Sequence, residues 1–181
     1  DAFTALRRVQ PRARLVLVGD GPAARELQRQ WPDAVFAGMR HGEDLAAHYA
    51  SGDLFLFPSV TETYGNVTAE AMASGLPVLA FGYAAAARLV RDGVNGATVP
   101  FGDQAAFVRR AAALAQDRGG LVRMGQAARE TAAALHWDRI IDTVESLFGA
   151  VIAARPVAVA GSTTTSQPTE ARQRRMLRLA P

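Results

Sequence analysis

Hydrophobic and polar positions follow two different periods along most of the chain. Short apolar runs, typical of buried strands, lie at residues 14–18, 34–37, 53–57 and 98–99, and a fifth run ends at Phe81. Helical periodicity before, between and after these runs predicts helices at residues 1–9, 23–30, 44–50, 84–91, 103–117, 120–135 and 137–154. Strands that are apolar throughout and alternate with helices indicate a parallel sheet covered on both faces. The pattern therefore predicts an α/β fold, a doubly wound parallel sheet with helices on both faces.

Residues 57–81, FPSVTETYGNVTAEAMASGLPVLAF, combine a strand end, a loop, a further helix and the next strand. Gly65 lies where that helix begins, and its first N–H groups attract a phosphate. Glu62 in the loop would repel an anion, but it can accept hydrogen bonds from sugar hydroxyls, and Glu70 on the helix can accept them from a ribose. On spacing alone, a capped helix with a surface glutamate explains these residues equally well.

Two other loops follow predicted strands, the position at which open α/β sheets bind ligands. The glycines of Gly19-Asp20-Gly21-Pro22 let a ligand approach the backbone, although the third glycine of a dinucleotide fingerprint does not follow. The loop at residues 38–43 can present backbone groups to the edge of a base. His41 within it fits a surface role better than a catalytic one, and the three histidines lack metal-ligand spacing.

Composition narrows the class of protein. A chain of 181 residues with 49% hydrophobic content fits one domain, and without cysteine it forms no disulfide. No apolar run reaches membrane-spanning length and no signal peptide precedes the first helix, so a bacterial cytoplasmic protein is the default expectation.

The net charge is concentrated in the carboxyl-terminal tail. Of the net charge of +3, residues 155–181 carry +4, from five arginines and one glutamate, and subtraction leaves −1 for residues 1–154. A nucleic-acid binder should carry its basic patch on the folded surface, so that class loses its support. We predict a disordered tail; the alternative is a basic helix that contacts an anionic lipid surface at the membrane periphery.

The motif VGDGP after a strand, followed by PSVTETYGNVTAEAMASGLPVLA, resembles the carboxyl-terminal domain of retaining glycosyltransferases of family 4, which are GT-B enzymes. Glu62 and Glu70 meet the Glu-x7-Glu signature of that family. The resemblance covers residues 1 to about 154 and implies a Rossmann-like donor-binding domain, one half of a GT-B fold, with its first strand missing. It also implies that an amino-terminal acceptor domain lies outside this sequence.

The resemblance implies a role for each matching residue. Glu62 is the expected catalytic residue, in contact with hydroxyls of the donor sugar, and Glu70 is expected to bind the ribose. The other expected donor-binding residues are Thr63, Tyr64, Gly65 and Asn66 at the diphosphate, Met39 and Arg40 at the base, and Gly19 and Gly21 beside the nucleotide cleft. The implied donor is a nucleoside-diphosphate sugar such as a UDP- or GDP-hexose, transferred with retention and without a cofactor or an essential metal.

Alternative functions remain open at this point. The chain can be a non-catalytic α/β binding module or an inactive remnant, and in either case the Arg-rich tail can tether it to a membrane or a partner. An epimerase that acts on nucleotide sugars is a third possibility, but it needs an acid/base pair that the histidines do not provide. As a donor domain alone, the chain is expected to bind nucleotide weakly and to catalyse little.

Overall fold

A computed structural model describes residues 1–154, except for the side chain of Trp137. The predicted tail at residues 155–181 lies outside the described residues. The elements follow in the order α1 (Ala2–Val9), β1 (Val16–Val18), α2 (Ala24–Gln30), β2 (Val35–Gly38), α3 (Gly42–Ala50), β3 (Phe55–Phe57), α4 (Asn66–Ala73), β4 (Val78–Phe81), α5 (Ala84–Leu89), β5 (Gly96–Val99), α6 (Gln104–Gln116), α7 (Arg118–Ala133) and α8 (Trp137–Ala153).

All the strand pairs among these residues are parallel, as predicted, but they form two sheets. β1 pairs with β2, and β4 lies between β3 and β5 in a three-stranded sheet. Within residues 1–154 no strand pairs with the free edge of β1 or of β3. The two-stranded sheet is also poorly covered, since Val16, Val18 and Val35 are each more than 40% exposed.

The strand β4 is the centre of the core because both of its faces are buried. Val78 and Ala80 pack with residues of α4, α5 and α7, whereas Leu79 and Phe81 pack with residues of β5, α6 and α7. Alternate side chains of a strand point to opposite faces, so helices cover this sheet on both sides. The predicted doubly wound α/β class is confirmed.

The prediction at the last strand was wrong in one respect. The apolar run predicts a short strand at residues 98–99, whereas β5 begins at Gly96, the second residue of an Asn-Gly pair that is typical of turns. A Cβ atom at this position would lie 2.6 Å from the carbonyl oxygen of Val78 on β4. Glycine is therefore required here by the close approach of two strands, which a sequence pattern does not distinguish from a turn.

The chain divides into two compact units, Asp1–Arg139 and Ile140–Pro181. The predicted domain boundary at residues 154/155 lies at the end of the described residues and stays a prediction. In the described part of the second unit, α8 exposes a series of large apolar side chains: Ile140, Ile141, Val144, Leu147, Phe148, Val151 and Ile152. None of the helices in residues 1–154 combines the length and the apolar character that a membrane crossing requires.

Candidate donor-binding site

A backbone hydrogen bond joins the start of the loop after β1 to the end of β2. The N–H of Gly19 donates to the carbonyl oxygen of Gly38 at 2.8 Å, and Gly19 has a positive φ of 117°, which favours glycine. Gly21 is exposed, and its N–H donates to Oδ1 of Asp20 at 2.7 Å. These two predicted residues therefore lie in one open turn with free space around their Cα atoms.

The two residues predicted at the base lie just beyond β2 and differ in their surroundings. Met39 is 59% exposed, so its thioether is available to a flat apolar ligand. Arg40 is half-buried, and its Nη1 donates to Oδ2 of Asp44, in the first turn of α3, at 3.1 Å. Within residues 1–154 the buried Nε of Arg40 has no hydrogen-bond partner. Arg40 is thus held in place with one donor unused.

Glu62 is fixed at both its side chain and its backbone. Oγ of Ser59 donates to Oε1 of the carboxylate at 2.7 Å, and the Glu62 N–H donates to the hydroxyl oxygen of Tyr83 at 3.1 Å. The residue is half-buried. Because Ser59 occupies one carboxylate oxygen, Oε2 keeps its capacity to accept hydrogen bonds from a ligand.

Gly65 is the N-cap of α4 and has a left-handed backbone, with φ of 91° and ψ of 58°. It has no side chain to bond the first N–H groups of the helix, and no other side chain of the described residues caps them. The position of a Cβ at Gly65 lies 3.6 Å from Oε2 of Glu62. The start of α4 and the Glu62 carboxylate therefore border the same space. Thr63, Tyr64 and Asn66 are exposed around this helix start.

A narrow cleft lies beneath that loop. Its volume is about 10 Å³, and its lining includes Glu62, Thr68 and Tyr83. Thr68 is 1% exposed, and its buried Oγ1 has no hydrogen-bond partner within the described chain. A cleft of this size holds about one water molecule. A sugar bound by Glu62 must therefore lie outside this cleft, on the solvent side of the loop.

Glu70 lies on the exposed surface of α4 and is contacted by α3. The hydroxyl of Tyr49 donates to Oε2 of Glu70 at 3.3 Å. Burial, together with the adjacent carboxylate of Glu70, raises the pKa of Tyr49 to about 12. The phenol therefore stays protonated and remains a donor at neutral pH. The other oxygen of Glu70 remains available to an external hydroxyl.

We expect Tyr49 of the folded chain to ionise with a pKa of about 12 rather than near the ordinary tyrosine value of 10. Since the folded pKa lies above the unfolded one, the stability that depends on the neutral phenol is complete below about pH 10 and is lost as the pH rises towards 12. The measurement is an absorbance titration of tyrosinate formation in wild type and Tyr49→Phe. A high-pH phase that persists in the variant would contradict the assignment.

The structure thus brings some of the predicted residues together and leaves others apart. Glu62, Tyr64 and Gly65 form one continuous loop and helix start, with Glu70 farther along the same helix. Among residues 1–154, no hydrogen bond or ion pair joins this loop to the Gly19 or Met39 loops. Sequence reasoning missed the residues that hold the loop and the helix, namely Tyr49, Ser59, Tyr83 and Ala85. The Ser59-x2-Glu62 spacing is the one local signal that points to any of them.

Comparison with known protein families gives a match over residues 1–117, to the family described as "Glycosyl transferases group 1". A GDP-mannose-dependent alpha-mannosyltransferase of Corynebacterium glutamicum is 48% identical over 82 residues, covering 45% of this chain and 20% of the relative. A D-inositol 3-phosphate glycosyltransferase of Nocardia farcinica is 34% identical over 195 residues, covering 98% of this chain and 42% of the relative. The chain spans less than half the length of these relatives.

Solved structures give the same result for the fold. Anabaena HepE in complex with UDP superposes with a TM-score of 0.68 and 26% identity, over 80% of this chain and 44% of that one. Sucrose-phosphate synthase from Thermosynechococcus elongatus gives a TM-score of 0.68 and 26% identity, over 83% of this chain and 42% of that one. These neighbours are GT-B glycosyltransferases, which confirms the predicted Rossmann-like half of that fold.

Proposed function

Because the chain belongs to the glycosyl transferases group 1 family, we propose that it is the donor-binding domain of a glycosyltransferase that uses a nucleoside-diphosphate sugar. The observation that carries the proposal is the order of the binding groups on α4 and in the loop before it. An uncapped helix start at Gly65 has one carboxylate beside it, at Glu62, and a second carboxylate farther along the helix, at Glu70. A phosphate flanked by two hydroxyl-bearing sugars is the ligand that matches this order of donors and acceptors.

The helix start supplies the phosphate-binding part of the proposal. The first N–H groups of α4 have no side-chain cap, and Gly65 lets a diphosphate reach them because it has no Cβ. The partial positive charge at a helix N-terminus favours an anion at this place. Backbone groups of Thr63 to Asn66 would hold the diphosphate. These backbone groups carry no net charge and are already oriented before the donor binds. They therefore need no reorganisation when the nucleoside diphosphate departs as the leaving group.

The two acids bind the sugars on either side of the diphosphate. Ser59 holds Oε1 of Glu62, and Oε2 faces the helix start, where it accepts hydrogen bonds from hydroxyls of the donor sugar. Tyr49 holds Oε2 of Glu70, so Oε1 accepts from the ribose. In each case a protein hydroxyl fixes one carboxylate oxygen and leaves the other for the ligand. Fixed acceptors lose less conformational entropy on binding.

The remaining residues would complete the nucleotide cleft. Gly19 and Gly21 would border it, and Met39 and Arg40 would contact the base. The exposed thioether of Met39 suits the face of a base. Arg40 would have to turn its guanidinium outwards to reach the edge of the base, because its Nε is buried. The relatives include GDP-mannose-dependent enzymes, and one structural neighbour was solved with UDP. Both GDP and UDP are therefore candidate nucleotides of the donor. Transfer with retention, without a metal, to an acceptor held by another domain belongs to the same proposal.

The test is calorimetric titration of the chain with UDP-glucose and with GDP-mannose, in wild type and in Glu70→Ala. We expect at least one donor to bind and Glu70→Ala to lose about tenfold or more in affinity, because removing a hydrogen bond to a charged group costs roughly 1.5–3 kcal/mol. The matched control is Glu130→Ala, an exposed helical glutamate on α7, which should bind like wild type. Equal affinity of Glu70→Ala and wild type would remove the ribose assignment, and no binding by wild type would overturn the proposed function.

A further inference from the structure

The segment that opens α5 holds the loop of Glu62 at two points. The hydroxyl oxygen of Tyr83 accepts the N–H of Glu62 at 3.1 Å, and the N–H of Ala85 donates to the carbonyl oxygen of Tyr64 at 2.7 Å. These bonds connect residues about 21 positions apart in sequence. The three-residue segment 62–64 is therefore fastened at its beginning and at its end by the same neighbouring turn.

Tyr83 is itself held by an aromatic chain that leads into the core. Its ring meets Phe101 edge to face with centroids 4.6 Å apart, and Phe101 meets Phe81 at 6.1 Å. Phe81 is fully buried and packs against Phe107 at 5.3 Å. Such contacts restrict the ring of Tyr83, and so its hydroxyl is available to Glu62 at little cost in side-chain entropy.

The backbone next to Tyr83 is strained. Ala84 has a φ of +50°, and it is the one non-glycine residue with positive φ among the described residues. Such a conformation costs an alanine roughly 1–2 kcal/mol. The bonds of Tyr83 and Ala85 on either side hold Ala84 in this conformation. Strain that is maintained by surrounding contacts is concentrated at functional positions in proteins.

We propose that Tyr83 is a positioning residue for Glu62, which fixes the backbone from which the donor-sugar carboxylate projects. This inference rests on the proposed function, since it assigns a role to the same site. Ser59 orients the carboxylate of Glu62 and Tyr83 orients its main chain. The part of the donor whose binding should depend on Tyr83 is consequently its sugar. The free nucleotide should depend less on Tyr83, because it binds Glu70 and the backbone of residues 63–66, which the hydrogen bond from Ala85 to Tyr64 still holds.

The test compares binding of UDP and of UDP-glucose (or GDP and GDP-mannose, if wild type prefers them) in wild type, Tyr83→Phe, Glu62→Gln and the double variant. Phenylalanine keeps the ring contacts and removes only the acceptor. We expect Tyr83→Phe to weaken the nucleotide sugar by roughly three- to tenfold, the value of one hydrogen bond, and the free nucleotide by less than about twofold. In the Glu62→Gln background the same change should have an effect of less than about twofold, because coupled residues are not additive.

A second measurement does not depend on ligand. Amide hydrogen exchange of the ligand-free chain should be faster at Glu62 in Tyr83→Phe, by roughly tenfold, while the Ala85 amide keeps its protection. An equal loss of free nucleotide and nucleotide sugar, or an unchanged Glu62 amide, would overturn the positioning role. Failure of wild type to bind any nucleotide sugar would instead overturn the proposed function, so the two failures are distinguishable.

Discussion

Replacing Gly125 with alanine is expected to lower the free energy of unfolding by about 3 kcal/mol, although alanine is the better helix former. Gly125 is buried in the middle of α7. A Cβ there would overlap the carbonyl oxygen of Gly75, where α4 ends, and would lie 3.4 Å from Cδ of Pro77. Both obstacles belong to a backbone turn and cannot rotate away, so α7 must shift from α4. Chemical denaturation of the two proteins measures the difference.

The control lies in the same helix. Gly119 is exposed in the first turn of α7. A Cβ there would meet the end of the flexible Arg123 side chain at 3.3 Å and, at the ordinary contact distance of 3.7 Å, Oδ1 of Asp117. Gly119→Ala should therefore raise the free energy of unfolding by up to about 1 kcal/mol. The same substitution thus has opposite signs at two positions six residues apart. Equal effects at both would show that the contact between α7 and the end of α4 is not tight.

Replacing Asn95 with alanine is expected to cost about 3 kcal/mol of unfolding free energy, even though no ligand is proposed to touch it. The side chain is 0% exposed and forms three hydrogen bonds. Its Oδ1 accepts the N–H of Arg91 at 2.7 Å, and its Nδ2 donates to the carbonyl oxygen of Leu89 and to Oγ1 of Thr131, both at 3.0 Å. Alanine removes this partner from the Arg91 N–H and the Leu89 carbonyl, whereas Thr131 keeps its bond to the carbonyl oxygen of Ala127. Each buried unpaired group costs roughly 1–3 kcal/mol. Chemical denaturation provides the measurement.

Thr131→Val gives the comparison for this network. It keeps the shape of residue 131 and removes one of the three partners of Asn95, so the expected loss is about 1 kcal/mol. The double variant should cost less than the sum of the single ones, because both changes remove the same bond. Additive effects would show that Asn95 and Thr131 do not interact in solution.

The fold could be predicted largely from the sequence because its signals are local. Buried strands appear as unbroken apolar runs, and α4 ends at Ser74-Gly75-Leu76-Pro77, a segment whose glycine and proline are typical of a helix end. Gly75 has a positive φ of 75°, and the N–H groups of Gly75 and Leu76 bond back to the carbonyls of Met72 and Ala71. This is the Schellman arrangement, which glycine favours. The start of β5 could not be predicted, since Gly96 is required by a strand 18 residues away.

The candidate site could be predicted only in part, for the same reason. Glu62, Gly65 and Glu70 belong to one continuous motif, and so the pattern identifies them together. The hydroxyl of Tyr49 donates to the Glu70 carboxylate, and the hydroxyl of Tyr83 accepts the backbone N–H of Glu62. Each tyrosine lies 21 residues from the glutamate that it contacts. Neither tyrosine belongs to a motif, and a tyrosine in an apolar segment is as typical of a core as of a site. Such partners become visible only when the helices and loops are placed in space.

The division of the strands between two sheets has an energetic consequence for ligand binding. The β1–β2 pair buries little apolar surface, whereas β4 is wholly buried. Regions with few buried contacts open at a lower free energy than the rest of a domain, as separate cooperative units. A nucleotide that touches both the Met39 loop and α4 would connect the less stable β1–β2 pair to the more stable sheet around β4. Part of its binding free energy would then be used to order the β1–β2 pair, so its measured affinity would be lower than its contacts alone would give.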